Sequence, residues 1–223
     1  MRAALNGWSF EVFGESGSVG VVLIHDIYGP DEYVALVGES LAREGYPTAV
    51  VDLYKGRRPK DLTEAMSFRQ TLVAEEVLDA LEAGREIVRR HVGEAAKIGT
   101  WGFCMGGGYA LLGACHRPFD FAIDFYGRID TAAEVQGLRG PLLLVLAGED
   151  ERITPWAFSE LLPAAMHAQK RVHVQLYPHV RHAFHRPKWE GYNALAALDA
   201  ERRVRNFLKE QREGRSAEPG EQG

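Results

Sequence analysis

The chain predicts an α/β fold, a mainly parallel central sheet of about seven strands with helices on both faces, and three observations lead there. Short apolar runs alternate with helical stretches along roughly 200 residues, the pattern that builds parallel sheets from strand–helix–strand units. Several of those runs are apolar throughout, as strands covered on both faces must be. Finally, 223 residues suit one domain, because a core of this size stays single.

Taken in order, strands are expected at 8–14 (WSFEVFG), 19–25 (VGVVLIH), 48–54 (TAVVDLY), 96–103 (AKIGTWGF), 119–127 (FDFAIDFYG), 141–148 (PLLLVLAG) and 171–177 (RVHVQLY), each short, apolar and bounded by turn residues. The longest helical stretch runs from about Asp61 to His91. Val73, Val77, Leu81, Gly84 and Val88 recur there at three- and four-residue steps, which gives one face to a sheet. Another helix begins near Glu190, with Leu195, Leu198, Val204, Phe207 and Leu208 as its stripe. No repeat or linker interrupts residues 1–211, read as one domain. Residues 212–223 lack apolar periodicity and read as a disordered polar tail.

Composition narrows the function. Hydrophobic content of 46% and charged content of 26% are ordinary for a globular chain. A net charge of -5 leaves no basic footprint, so nucleic acid is not expected as a partner. The amino end has no apolar run of signal-peptide length and no later stretch reaches a membrane span, so no membrane partner is expected and a cytoplasmic location is. The two cysteines, Cys104 and Cys115, cannot make a disulfide framework: on one helix they would stand roughly 16 Å apart. Each needs an explanation as a thiol.

Cys104 has one. Gly102-Phe103-Cys104-Met105-Gly106 has the form Gly-x-nucleophile-x-Gly between an expected strand and an expected helix. A sharp strand-to-helix turn crowds the backbone, and glycines two residues to either side remove the side chains that would clash. The sulfur would sit at a helix amino terminus, whose partial positive charge favours an anion. Two plainer readings compete. Cysteine is often buried as inert packing, and a glycine cluster after a strand can be a dinucleotide fingerprint, although here Cys104 and Met105 precede the glycine triplet. Cys115, deep in an apolar helix, reads as core.

A cysteine that transfers acyl groups wants a base, and the base wants an acid to orient it. In the hydrolase fold that carries this turn, the order along the chain is nucleophile, acid, histidine, with the last two on loops after later strands. Asp150 follows the strand at 141–148, with Glu149, Glu151 and Asp124 as rivals. His179, His182 and His185 all follow the next strand. Their spacing raises a metal site, but a loop offers no helical face to align them and no further ligand stands nearby, so neither metal nor cofactor is expected.

These residues resemble the dienelactone hydrolase family of α/β hydrolases. The likeness covers about Val21 to Leu208 and rests on GFCMGG, IHDIYG, VVDLY, DFYG, AGED and HAF. It implies an α/β-hydrolase fold without a lid domain and a carboxylic ester hydrolase with the triad Cys104, Asp150 and His182. It also implies an oxyanion hole from the backbone N–H groups of Met105 and Ile27, each such donor being worth about 3 kcal/mol in comparable sites. The family usually has a glutamate that contacts the resting thiol and is displaced by an anionic substrate; the matching residue here is Asp26, whose reach is about 1.5 Å shorter. Where family members hold a substrate carboxylate with two arginines and a tyrosine, this chain offers Arg186 and, at the other two positions, Leu62 and Met66. Only about a dozen residues separate DFYG from PLLLVL, too few for a lid, so an open pocket flanked by Tyr54, Tyr126 and Trp189 is expected. The substrate would be a small ester or lactone, with Arg186 available for an anionic one. General carboxylesterase or thioesterase action is the nearest alternative, and a redox-sensing or ligand-binding thiol is the alternative from another class.

Overall fold

In a computed structural model of the chain, residues 1–214 are described. Strand β1 (Arg2–Leu5) and β2 (Trp8–Phe13) form an antiparallel hairpin in which Leu5 faces Trp8. Asn6 and Gly7 between them take φ of 52° and 80°, the two positive angles that an Asn-Gly turn tolerates best. β2 pairs antiparallel with β4 (Thr48–Val51). From β4 the sheet continues through β3 (Val19–Ile24), β5 (Lys97–Phe103), β6 (Ala122–Phe125), β7 (Leu142–Ala147) and β8 (Val172–Tyr177), all parallel. The count is eight rather than about seven, because the short edge strand β1, half exposed, shows no apolar run.

Alternate residues of each central strand enter two cores. Val22, Ile24, Ala49 and Val51 join α3 (Ala74–Val92) and α4 (Met105–His116) on one face. Val21, Leu23, Trp101 and Phe103 join α1 (Glu32–Arg43) and α7 (Ala194–Glu213) on the other. Both faces are thus covered, which is why these strands carry no polar face. No described helix is long and apolar enough to cross a membrane. The α7 helix continues to Glu213, and residues 215–223 of the expected tail lie outside the described residues.

Two helices differ from expectation. The stretch from Asp61 to His91 is broken into α2 (Leu62–Gln70) and α3. At the break, the Thr71 hydroxyl donates to the Phe68 carbonyl at 2.8 Å and Val73 turns extended at φ -97° and ψ 126°. Phe68 packs edge-on against Tyr54, so α2 belongs to the rim of the sheet while α3 lies along its face. In α7 the buried stripe is Ala196, Ala197, Ala200, Val204, Phe207 and Leu208, whereas Leu195 and Leu198 are 81% and 67% exposed. At roughly 100° per residue, Leu195 stands about 180° around the helix from Val204.

The order of strands places the chemistry. The chain winds outward from β3 to β4, then crosses back to lay β5 on the other side of β3. Ligands in open sheets bind beyond the carboxyl ends of the strands where such a reversal occurs. Asp26 and Ile27 follow β3 there, and Cys104 follows β5.

Candidate active site

Cys104 occupies the turn between β5 and α4 with φ 53° and ψ -115°, a region that costs a non-glycine residue energy and persists only where its surroundings impose it. The glycines around it are required by contact. A Cβ on Gly102 would stand 2.0 Å from the Gly106 carbonyl oxygen, and one on Gly106 would stand 2.4 Å from that of His25. Both clashes are with backbone, so neither could be relieved by a side-chain movement.

The sulfur lies 3.0 Å from His182 Nε2, and His182 Nδ1 lies 2.5 Å from Asp150 Oδ2. Asp150 follows β7, and its other oxygen accepts from the N–H groups of Arg152 at 3.1 Å and Ile153 at 2.9 Å. Burial works against ionising this carboxyl, but the His182 hydrogen bond and those two amides hold it below the usual carboxylate range. Burial likewise opposes a charged His182, yet hydrogen bonds to Asp150 and Cys104 outweigh it and push the imidazole up to about 10. The Tyr126 ring packs on His182 with centroids 4.9 Å apart.

The rivals of these residues go elsewhere. Glu149 and Glu151 are exposed. Asp124, on β6, is wholly buried: Oδ1 accepts from Gly127 N–H at 2.7 Å and Oδ2 has no partner among the described residues. Burial pushes its carboxyl up to about 7. His179 is exposed, and His185 is buried, bonded through Nδ1 to the Tyr33 hydroxyl and with Nε2 3.5 Å from Glu201. The three histidines of the loop therefore point to three different surroundings.

Among the described residues, neither the Met105 nor the Ile27 N–H donates to a protein acceptor. Met105 opens α4, where the first amides have no partner within the helix. Ile27 is oriented from behind. The carbonyl of Asp26, in the same peptide unit as the Ile27 N–H, accepts from His25 Nδ1 at 2.6 Å and from the Gly29 N–H at 3.2 Å. In a trans peptide the C=O and N–H point opposite ways, so holding the one aims the other. His25 is fully buried, its Nε2 accepts from the Leu53 N–H at 3.2 Å, and burial lowers its pKa to about 4, which keeps it neutral.

Several expected site residues are placed differently. Tyr54 is fully buried, its hydroxyl donating to the Ile27 carbonyl at 2.8 Å, so it braces the loop after β3 from inside rather than presenting an exposed face. Tyr126, 2% exposed, backs His182 in the same way. Aromatic residues at these strand ends carry the site on their hydrophobic bodies. Asp26 forms no hydrogen bond to Cys104: Oδ1 accepts from Tyr28 N–H at 2.8 Å, and Oδ2 lies 2.6 Å from Arg186. Arg186, expected for a substrate carboxylate, is paired with Asp26 and, at 2.5 Å, with Asp31. Leu62 and Met66 on α2 are exposed, as is Trp189, whose ring meets Tyr28 at 5.5 Å between centroids. His25 and Asp31 were not expected at the site. His25 stands beside Asp26 in IHDIYG, a position that could have drawn attention to it, whereas Asp31 carries in sequence only the signal of a helix cap.

A family model described as the dienelactone hydrolase family matches residues 12–212. A protein of Saccharolobus solfataricus, named as a candidate carboxymethylenebutenolidase, is 29% identical over 87% of this chain and 90% of its own. The carboxymethylenebutenolidase of Pseudomonas putida is 27% identical over 84% of each. Among solved structures, a dienelactone hydrolase-like promiscuous phosphotriesterase from metagenomic libraries superposes with a TM-score of 0.82 at 17% identity, covering 92% of both chains. That last likeness is one of fold.

Proposed function

The chain belongs to the dienelactone hydrolase family, hydrolases of lactones and esters, and on that premise we propose that it cleaves small esters or lactones through a covalent thioester on Cys104. The supporting observation is the line Cys104 Sγ, His182, Asp150, at 3.0 and 2.5 Å, at the carboxyl ends of parallel strands.

With the proton on His182, the sulfur attacks the carbonyl carbon, and the carbonyl electron pair moves onto oxygen, held by the N–H groups of Met105 and Ile27. Collapse expels the alkoxide or enolate, which takes the His182 proton. His182, oriented by Asp150, then removes a proton from water as the water oxygen adds to the thioester. The second collapse releases the acid, and Cys104 and His182 return to their first state. A thiolate leaves more readily than an alkoxide, so the first intermediate reverts unless the other side departs easily. Enol and activated esters and lactones should therefore be favoured, and amides should react poorly. The reactive thiol and the second free cysteine, Cys115, support a reducing, cytoplasmic location.

Turnover of activated esters and lactones by wild type, Cys104→Ser and Cys104→Ala tests this. The alanine variant should lose at least about a thousandfold in kcat, with a thioester trapped only in the wild type. Unchanged turnover in the alanine variant ends the nucleophile role. Oxidation of Cys104 by peroxide without turnover of any ester would point instead to a sensing thiol.

A further inference from the structure

Arg186 is the side chain that the family resemblance offers to a substrate carboxylate, and its surroundings oppose that use. Nη1 lies 2.6 Å from Asp26 Oδ2 and Nη2 lies 2.5 Å from Asp31 Oδ2, so both terminal nitrogens are taken by different carboxylates. Tyr28 and Tyr33 stand against the guanidinium with ring centroids 5.4 and 5.8 Å from its carbon, and 15% of the side chain remains exposed. One guanidinium against two carboxylates leaves this cluster with a net negative charge. It borders the reaction centre, because Asp26 immediately precedes Ile27, and Tyr28, next in the loop, feels the charges of Asp26, Arg186 and Cys104 together.

Asp31 makes the difference. Were Asp26 the only partner, a substrate carboxylate could take the second edge of the guanidinium in a neutral exchange. Asp31 occupies that edge and adds repulsion, the negative element that selectivity needs. It is also fixed independently, since its Oδ1 caps α1 by accepting from Val34 N–H at 3.1 Å. Arg58, near Gly29 on the same wall, is paired with Asp52 at 3.0 Å, and Leu62 and Met66, at the two positions where the family resemblance would look for further carboxylate-binding side chains, are exposed and bring no charge.

We infer that the doubly clamped Arg186 excludes carboxylated substrates, that the esters and lactones cleaved are neutral, and that Asp31 is the residue that sets this preference. The inference rests on the proposed hydrolase reading of the same site.

The test compares p-nitrophenyl hexanoate with mono-p-nitrophenyl adipate, which differ by a terminal carboxylate, in wild type, Asp31→Asn and Asp31→Ser. Asn and Ser both cap helices well, so the charge is removed while the α1 start is kept. Wild type should favour the hexanoate by roughly tenfold or more in kcat/KM, and both variants should move the ratio toward the adipate ester by about tenfold. Equal or faster wild-type cleavage of the adipate ester, or a ratio unmoved in both variants, overturns the inference. Calorimetric binding of adipate reads the clamp without turnover: about tenfold tighter binding to Asp31→Asn supports it, and equal binding refutes it. Absence of turnover on both esters would fall on the hydrolase reading, leaving the adipate measurement to decide the role of Asp31.

Discussion

Asp150→Asn exchanges one carboxylate oxygen for an amino group at constant shape, and the surroundings decide which oxygen is lost. Oδ1 is held by two backbone donors, Arg152 N–H at 3.1 Å and Ile153 N–H at 2.9 Å. The amide oxygen will keep that place, because the alternative sets an NH2 group against two N–H groups. The amino group must then face His182 Nδ1, where the wild type has an oxygen at 2.5 Å. Nδ1 becomes the acceptor, the single proton of the neutral ring sits on Nε2, and the nitrogen facing Cys104 lacks the lone pair that must take a proton from water in the second step. A tautomer trapped in this way costs about 10³ to 10⁴ in kcat, roughly 4–5.5 kcal/mol of barrier. Steady-state kinetics on an activated ester should show that loss in kcat with little change in KM, and a circular-dichroism melt should show the fold intact. Because Asp150 helps hold His182 up to about 10, the alkaline limb of the remaining activity should move to lower pH. Asp150→Ala removes the carboxylate without imposing a tautomer, so it should retain more activity than the asparagine variant. A loss under tenfold, or an asparagine variant as active as the alanine one, would refute the reasoning.

Two further outcomes are expected. Asp124 holds its proton to about pH 7 in the fold against 3.8 for an ordinary aspartate, so its contribution is fully present below pH 3.8 and is lost as the pH rises through 7; Asp124→Asn, neutral throughout, should flatten the fall of Tm between about pH 4 and 7, and parallel melting profiles for the two proteins would contradict this. His25→Phe keeps an aromatic ring and deletes the hydrogen bonds to the Asp26 carbonyl and the Leu53 amide; kcat should fall by about ten- to a hundredfold with KM little changed, since the Ile27 N–H, the proposed oxyanion donor, is misaimed, and His25→Asn, which can still donate to that carbonyl, should recover part of the loss.

The parts of the molecule governed by local pattern were legible in the sequence. Seven strands stand where the apolar runs put them, and the five from β3 to β7 are buried almost throughout, as a strand covered on both faces can be made only from such runs. The elbow was legible for a similar reason: Gly102 and Gly106 sit where a Cβ would meet backbone, and that demand leaves its mark in the residues themselves. The edge strand β1 was missed, although Asn6-Gly7 carries the turn signature of the hairpin that the structure shows. The break at Thr71 was not legible, because it sets α2 so that Phe68 meets Tyr54, a contact that no local pattern announces. The same limit applied to Arg186. Its charge was visible, but whether it faces solvent, substrate or Asp31 depends on pairs 155 and 160 residues apart along the chain. The tyrosines were misjudged for a related reason: Tyr54 and Tyr126 lie beside the chemistry in sequence, and only packing tells that they support it from the inside.

One side chain begins α1 and also tips the Asp26–Arg186 pair to a net negative charge. Asp31 thereby ties the folding of a helix to the choice of what the enzyme accepts. Selection for heat resistance that passes through position 31 will sort variants by substrate charge at the same time, and a drift in selectivity there can be mistaken for a change in the pocket when it began as a change in how a helix starts.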